Sequence, residues 1–200
     1  MTCTANWFTY YSKGEALLEM GMVDDAIAAF RTSIQLDPEF PLAYDYLGDA
    51  YIKKNEFQNA IECFRNAIKF NGYANGQLMY FAFHARGVEC ETSGEYDKAI
   101  VYFTMAIEEE PGRLGNYISR GIVYAQTDRF NEALADFNAA VKLAPNDYLS
   151  YYNRGLCLTE MGRYREAMDD VSHSLKLKPD YQEAFLEYVE LIAILRQAEE

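Results

Sequence analysis

Apolar residues recur along this chain at helical spacing, and the whole pattern repeats at a shift of 34 residues. Units begin at Trp7, Pro41, Tyr80, Leu114 and Tyr148. In each, an aromatic residue (Tyr10, Tyr44, Phe83, Tyr117, Tyr151) lies four before a glycine (Gly14, Gly48, Gly87, Gly121, Gly155). An apolar residue (Leu17, Tyr51, Cys90, Tyr124, Leu158) lies three after it. This spacing puts all three on one helix face. A second stripe joins Ala26, Ala60, Ala99, Ala133 and Ala167 to Phe30, Phe64, Phe103, Phe137 and Val171, four residues later. Gly21, Asn55, Gly94, Asp128 and Gly162 separate the two stripes. All are residue types that tolerate the left-handed end of a helix. Pro38, Pro111, Pro145 and Pro179 follow the second stripe, with Gly72 in the equivalent place of the second unit. Each unit therefore predicts two antiparallel helices.

Glycine inside a helix costs about 1 kcal/mol relative to alanine, so its return at one place in every unit predicts a close helix approach there. The alanines are the expected partners. Between the second and third units five extra residues, 75–79, interrupt the period, and the Asn71-Gly72 and Asn75-Gly76 pairs predict a loop.

This pattern, aromatic-x-x-x-Gly-x-x-(Tyr/Leu), then Ala-x-x-x-Phe, then Pro, resembles the tetratricopeptide repeat over Trp7 to Tyr181. The resemblance implies an all-α fold: a right-handed α-solenoid of five helical hairpins (7–40, 41–74, 80–113, 114–147, 148–181). A disordered N-terminus (1–6) would precede them. Residues 182–200 would form a capping helix, with Phe185, Tyr188, Val189 and Ile192 at core places. Leu186, Leu191, Ile194 and Leu195 are left for other sides of that helix, and Leu191 and Leu195 predict a weak homodimer through it.

Composition narrows the function. With 31 acidic and 18 basic residues the formal net charge is −13, which disfavours nucleic acid and anionic membrane surfaces as partners. No run of apolar residues reaches the length of a membrane span. Met1 to Asn6 lacks the basic start and aliphatic run of a secretory signal, so a cytoplasmic location is expected. Cys3, Cys63, Cys90 and Cys157 are irregularly spaced and read as small packing residues, not as disulfides or a metal site. Phosphate-loop, zinc-protease and nucleophile-elbow motifs are absent, so neither catalysis nor a cofactor is expected.

Arg86, Arg120 and Arg154 each precede the glycine. They could form a cationic ladder for a carboxylate or phosphate, or pair with acids on the second helices. The second alternative is favoured, because Asp136 and Asp170 recur at matching places. The Glu108-Glu109-Glu110 run reads as a solvated helix end.

The resemblance also implies that the first helices line a concave groove for a protein or peptide ligand. Its candidate lining is Tyr11 and Glu15, Asp45 and Asp49, His84 and Val88, Ile118 and Ile122, and Tyr152, Asn153 and Leu156. Some members grip acidic chaperone tails with a clamp of lysines, asparagines and an arginine. Here Tyr11, Glu15, Tyr46, Phe81 and Ala85 occupy those places, and in the later register only Asn153 matches. A ligand of basic and apolar character is expected instead. The chain is thus expected to be a non-enzymatic interaction module. The rival readings are a regulatory or targeting domain of an enzyme complex, or an export or assembly chaperone that shields an apolar client segment.

Overall fold

Helix boundaries follow local chemistry. The Asn6 side chain accepts a hydrogen bond from the Thr9 amide at 3.0 Å, and Asp147 accepts one from Ser150 at 2.8 Å, so each satisfies a donor that a helix start leaves open. Pro41 opens a third helix at the one turn where its missing N–H costs nothing. Asn55 and Asp128 hold φ near 59°, and in every hairpin the residue after the left-handed one donates to a carbonyl five residues back. Glu56 to Tyr51 at 2.9 Å and Arg129 to Tyr124 at 2.8 Å are two examples.

The computed structural model describes residues 6–72 and 76–197. Among them there are eleven helices and no strand, arranged in two compact units, Met1–Glu109 and Glu110–Glu200. The first unit holds α1 (Trp7–Glu19), α2 (Val23–Leu36), α3 (Pro41–Lys53), α4 (Phe57–Phe70), α5 (Gly76–Thr92) and α6 (Tyr96–Glu109). The second holds α7 (Leu114–Gln126), α8 (Phe130–Leu143), α9 (Tyr148–Glu160), α10 (Tyr164–Leu177) and α11 (Gln182–Gln197). Successive helices pair as five antiparallel hairpins, and α11 lies along α10. Apart from Asn6, the N-terminal segment expected to be disordered lies outside the described residues, as do Cys3, Asn75 and 198–200.

Three details differ from the sequence expectations. The insertion is not a loop throughout: α5 begins at Gly76, so residues 76–79 add a turn to the helix, consistent with the helix-forming Gln77, Leu78 and Met79. The interface glycines face aromatic rings, not alanines. A Cβ built on Gly48 would lie 2.4 Å from the Phe64 ring, and one on Gly121 would lie 2.7 Å from Phe137. The alanine of each second helix is fully buried one turn earlier. In the fifth hairpin Val171 replaces the ring and approaches the Gly155 position to 2.8 Å. Finally, Glu108 is not simply solvated: Arg65 of α4 pairs with it at 3.0 Å.

Hydroxyls fasten two hairpins from inside. Buried Ser33 donates to the Trp7 carbonyl at 2.8 Å and buried Ser174 to that of Tyr148 at 2.9 Å, tying each second helix to the first residue of its unit.

Candidate protein-binding site

The candidate groove residues of the first unit are largely engaged with their own fold. Tyr11 is buried. Its ring meets Phe40 edge-on at 5.2 Å and its hydroxyl donates to Glu15 at 2.7 Å. Burial, then the bond to Glu15, pushes the Tyr11 phenol far above its ordinary range. Asp45 accepts from Arg86 at 3.2 Å and from the Tyr102 hydroxyl at 3.2 Å. Asp49 lies 2.6 Å from the ammonium of Lys98, which is itself nearly buried. Burial pushes Asp49 up despite that cation. Burial also opposes the Lys98 charge, yet Asp49 and then Asp45 hold Lys98 above its ordinary value.

These contacts arise because the third hairpin meets α3 and α4 through α6 as well as α5. Tyr102 lies 4.8 Å from the Phe64 ring, and Lys98 sits over the same ring at 5.3 Å. His84 stacks with Tyr80 at 6.3 Å and lies 5.7 Å from the Phe103 ring, whereas Val88 is exposed.

Arg86 therefore departs from the expected arginine pairing. Tyr102 holds the place that Asp136 and Asp170 hold in later repeats, so α6 offers Arg86 no acid there, and besides Glu89 on its own helix Arg86 turns to Asp45. In the second unit the expectation stands. Arg120 grips Asp136 through Nε at 2.8 Å and Nη2 at 2.7 Å, and Arg154 grips Asp170 at 2.6 and 2.7 Å. Both are two-point pairs on facing helices of one hairpin.

The second unit keeps an open hollow between α7 and α9. It has a volume of about 350 Å³ and is lined by Ile122, Ala125, Phe130, Phe137, Leu156 and Cys157. Asn153, Gln126, Asp128 and Glu160 supply its polar groups. Ile122, Asn153 and Leu156 come together here; Ile118 and Tyr152 are not part of the lining. Tyr152 instead meets Tyr181 at 4.9 Å and joins the cluster around Leu158, Ala184 and Leu191. The Asn153 amide donates to the Leu149 carbonyl at 2.8 Å, which leaves its side-chain oxygen able to accept.

The acids at this hollow, Asp128 and Glu160, were not among the sequence candidates. The sequence marks Asp128 only as a helix terminator and does not single out Glu160; α9 ends at Glu160 whereas Asp128 lies two residues beyond the end of α7, so no shared repeat position points to the pair.

Family profiles decide the relationship. One tetratricopeptide repeat profile matches residues 148–181, a second matches residues 41–73 and 116–147, and a TPR repeat profile matches residues 10–53. The chain belongs to the tetratricopeptide repeat family. Among its relatives, Superkiller complex protein 3 of Homo sapiens is 23% identical over 107 residues, which are 54% of this chain and 6% of that protein, so the tetratricopeptide chain spans a small part of the relative's length. The crystal structure of YrrB, a TPR protein with an unusual peptide-binding site, shares the fold at a TM-score of 0.53 and 21% identity, covering 92% of both chains. The first TPR of Spaghetti (RPAP3), bound to the HSP90 peptide SRMEEVD, aligns with a TM-score of 0.58 and 25% identity over 61% of this chain and 96% of its own.

Among the described residues of this tetratricopeptide protein, no group of three His, Cys, Asp or Glu side chains is placed to hold a metal, and no helix is long and apolar enough to cross a membrane. Burial pushes the Cys63 thiol up to about 12 and the Cys90 thiol to about 11, as expected of packing residues and not of nucleophiles.

Proposed function

We propose that this tetratricopeptide protein is an interaction module that seats an apolar anchor of a peptide or protein segment in the hollow between α7 and α9, with basic residues of the ligand beside it. The reading is carried by the hollow itself, where Ile122, Leu156 and Phe137 offer an apolar seat and Asn153 a hydrogen-bonding group. Asp128 and Glu160 are exposed at this site and suit lysine or arginine on the ligand. The peptides bound by related tetratricopeptide structures support the general role. Their acidic sequences are a poor match for this acid-flanked seat.

In the first unit Asp45 and Asp49 already have Arg86 and Lys98 as partners, so the basic preference rests on the second unit. Selection from a displayed library of random dodecapeptides tests the reading. Recovered sequences should share a bulky apolar residue next to lysine or arginine, and Ile122→Asp should lose them. Recovery of acidic C-terminal sequences, or retention of binding by Ile122→Asp, would contradict it.

A further inference from the structure

The first helix of a repeat has two working sides, and α11 uses only one of them. On α3, α7 and α9 the third and tenth residues of the unit turn toward the rest of the fold: Ala43 and Ala50, Asn116 and Val123, Ser150 and Cys157 are all buried. The matching residues of α11 are Ala184 and Leu191, both fully buried in the cluster with Ala167 and Val171 of α10. Leu191, expected on an outer face, is thus the centre of the helix's attachment. The other side of a first helix, at the fourth and eighth residues, is covered by the second helix of the same hairpin. On α11 these residues are Phe185 and Val189. They stand 58% and 48% exposed, and neighbouring Leu186 is 64% exposed. The expectation that Phe185 and Val189 serve as core is corrected for this reason: among the described residues no second helix covers them.

We propose that this face of α11 is a docking surface for an amphipathic helix of another protein, one with a small residue at its crossing point and lysine or arginine along its flanks. Two observations select this occupant. The repeat's usual second helix brings an aromatic ring or a valine to within 2.4–2.8 Å of where a Cβ on the glycine would lie. On α11 that glycine place is Val189, so such a helix would overlap it, and alanine, glycine or serine must take the ring's position. The second observation is charge. Glu183 and Glu190 flank the apolar face and are exposed, Glu187 is held by Thr159 at 2.7 Å, and Arg196 is the lone base of α11, near its far end. A basic flank complements this face. A second copy of α11 carries Glu183, Glu187 and Glu190 against the single base Arg196, so a partner with a basic flank complements this face better.

The surface is separate from the hollow between α7 and α9, so the two can fail independently. The test measures fluorescence anisotropy of three synthetic helical peptides with the full chain. The first carries a leucine and alanine stripe flanked by lysines; the second has glutamates for the lysines; the third has phenylalanine for the crossing alanine. The lysine peptide should bind at least about tenfold more tightly than either of the others. Leu186→Asp, at an exposed site that leaves the fold intact by circular dichroism, should weaken it by about tenfold or more, while Ile122→Asp should leave it unchanged. Equal binding of the lysine and glutamate peptides, or no effect of Leu186→Asp, would overturn the proposal. So would a dimer in sedimentation that Leu186→Asp dissociates, since the occupant would then be a second copy.

Discussion

In the second unit each arginine ahead of the interface glycine finds its acid on the facing helix of the same hairpin, whereas in the first unit Arg86 reaches out of its hairpin to Asp45 on α3. The arginine stands at the same place in the repeat, and one residue accounts for the difference, because Tyr102 replaces the acid found at Asp136 and Asp170. Lys98 makes a similar crossing to Asp49. Charges that close a hairpin, those of Arg120, Asp136, Arg154 and Asp170, are not among the residues that line the hollow between α7 and α9. Charges that join hairpins use up the acids that the first unit would otherwise present to a ligand. One repeat template can thus direct its charged residues between hairpins in one unit and within hairpins in the other.

The largest expected effect follows from burial. Asp136 is 7% exposed and Arg120 17%, so Asp136→Ala should remove the two-point partner of a poorly hydrated guanidinium and lower stability by about 3 kcal/mol or more in urea denaturation. Asp45→Ala should cost about 1–2 kcal/mol, because Arg86 retains Glu89 and is more open to water. Equal losses for the two variants would erase the distinction between the units.

A smaller effect tests its cause. Tyr102→Asp should give Arg86 an acid on the facing helix of its own hairpin, as Arg120 and Arg154 have. The coupling between Arg86 and Asp45 in a double-mutant cycle should then fall from about 1 kcal/mol toward zero, even though loss of the ring against Phe64 lowers overall stability. A coupling that persists undiminished would mean that Tyr102 does not redirect the arginine.

A separate test is a slope with pH. Burial raises the thiols of Cys63 and Cys90 from an ordinary 9.0, and the phenols of Tyr11 and Tyr102 from 10.0. Above about pH 9 the unfolded chain releases protons that the folded chain retains. Fewer protons on the unfolded state means stability falls as pH rises, from the unfolded values up through the raised folded ones. The urea midpoint should decline over this alkaline window. A midpoint flat or rising between pH 9 and 11 would contradict the assigned burial.

Much of this architecture is legible in the sequence, because the demands that make it are local and repeated. Gly121 and Phe137 recur at fixed spacing since a ring must cross a helix there, and Asp128 recurs with the glycines since a left-handed residue must end the first helix. Arg120 with Asp136 and Arg154 with Asp170 are readable for the same reason: both partners lie within one unit. Contacts that leave the unit are not. Nothing in the period tells that Lys98 will meet Asp49 or that Arg86 and Tyr102 will both turn to Asp45, because those pairings depend on how the third hairpin meets the second. The face of α11 was misassigned through a related gap. Phe185 and Val189 keep the spacing of core residues, but spacing cannot say whether a second helix arrives to bury them.

The central claim is that a ligand is held by the hollow of the second unit while the acids of the first unit serve the fold. Isothermal titration of a peptide recovered from the library against two variants tests it most directly. Ile122→Asp should weaken binding by about a hundredfold, as loss of a buried anchor contact does, and Asp49→Asn should leave the dissociation constant within about twofold while lowering stability through the loss of its pair with Lys98. Binding that survives Ile122→Asp and collapses with Asp49→Asn would contradict the account.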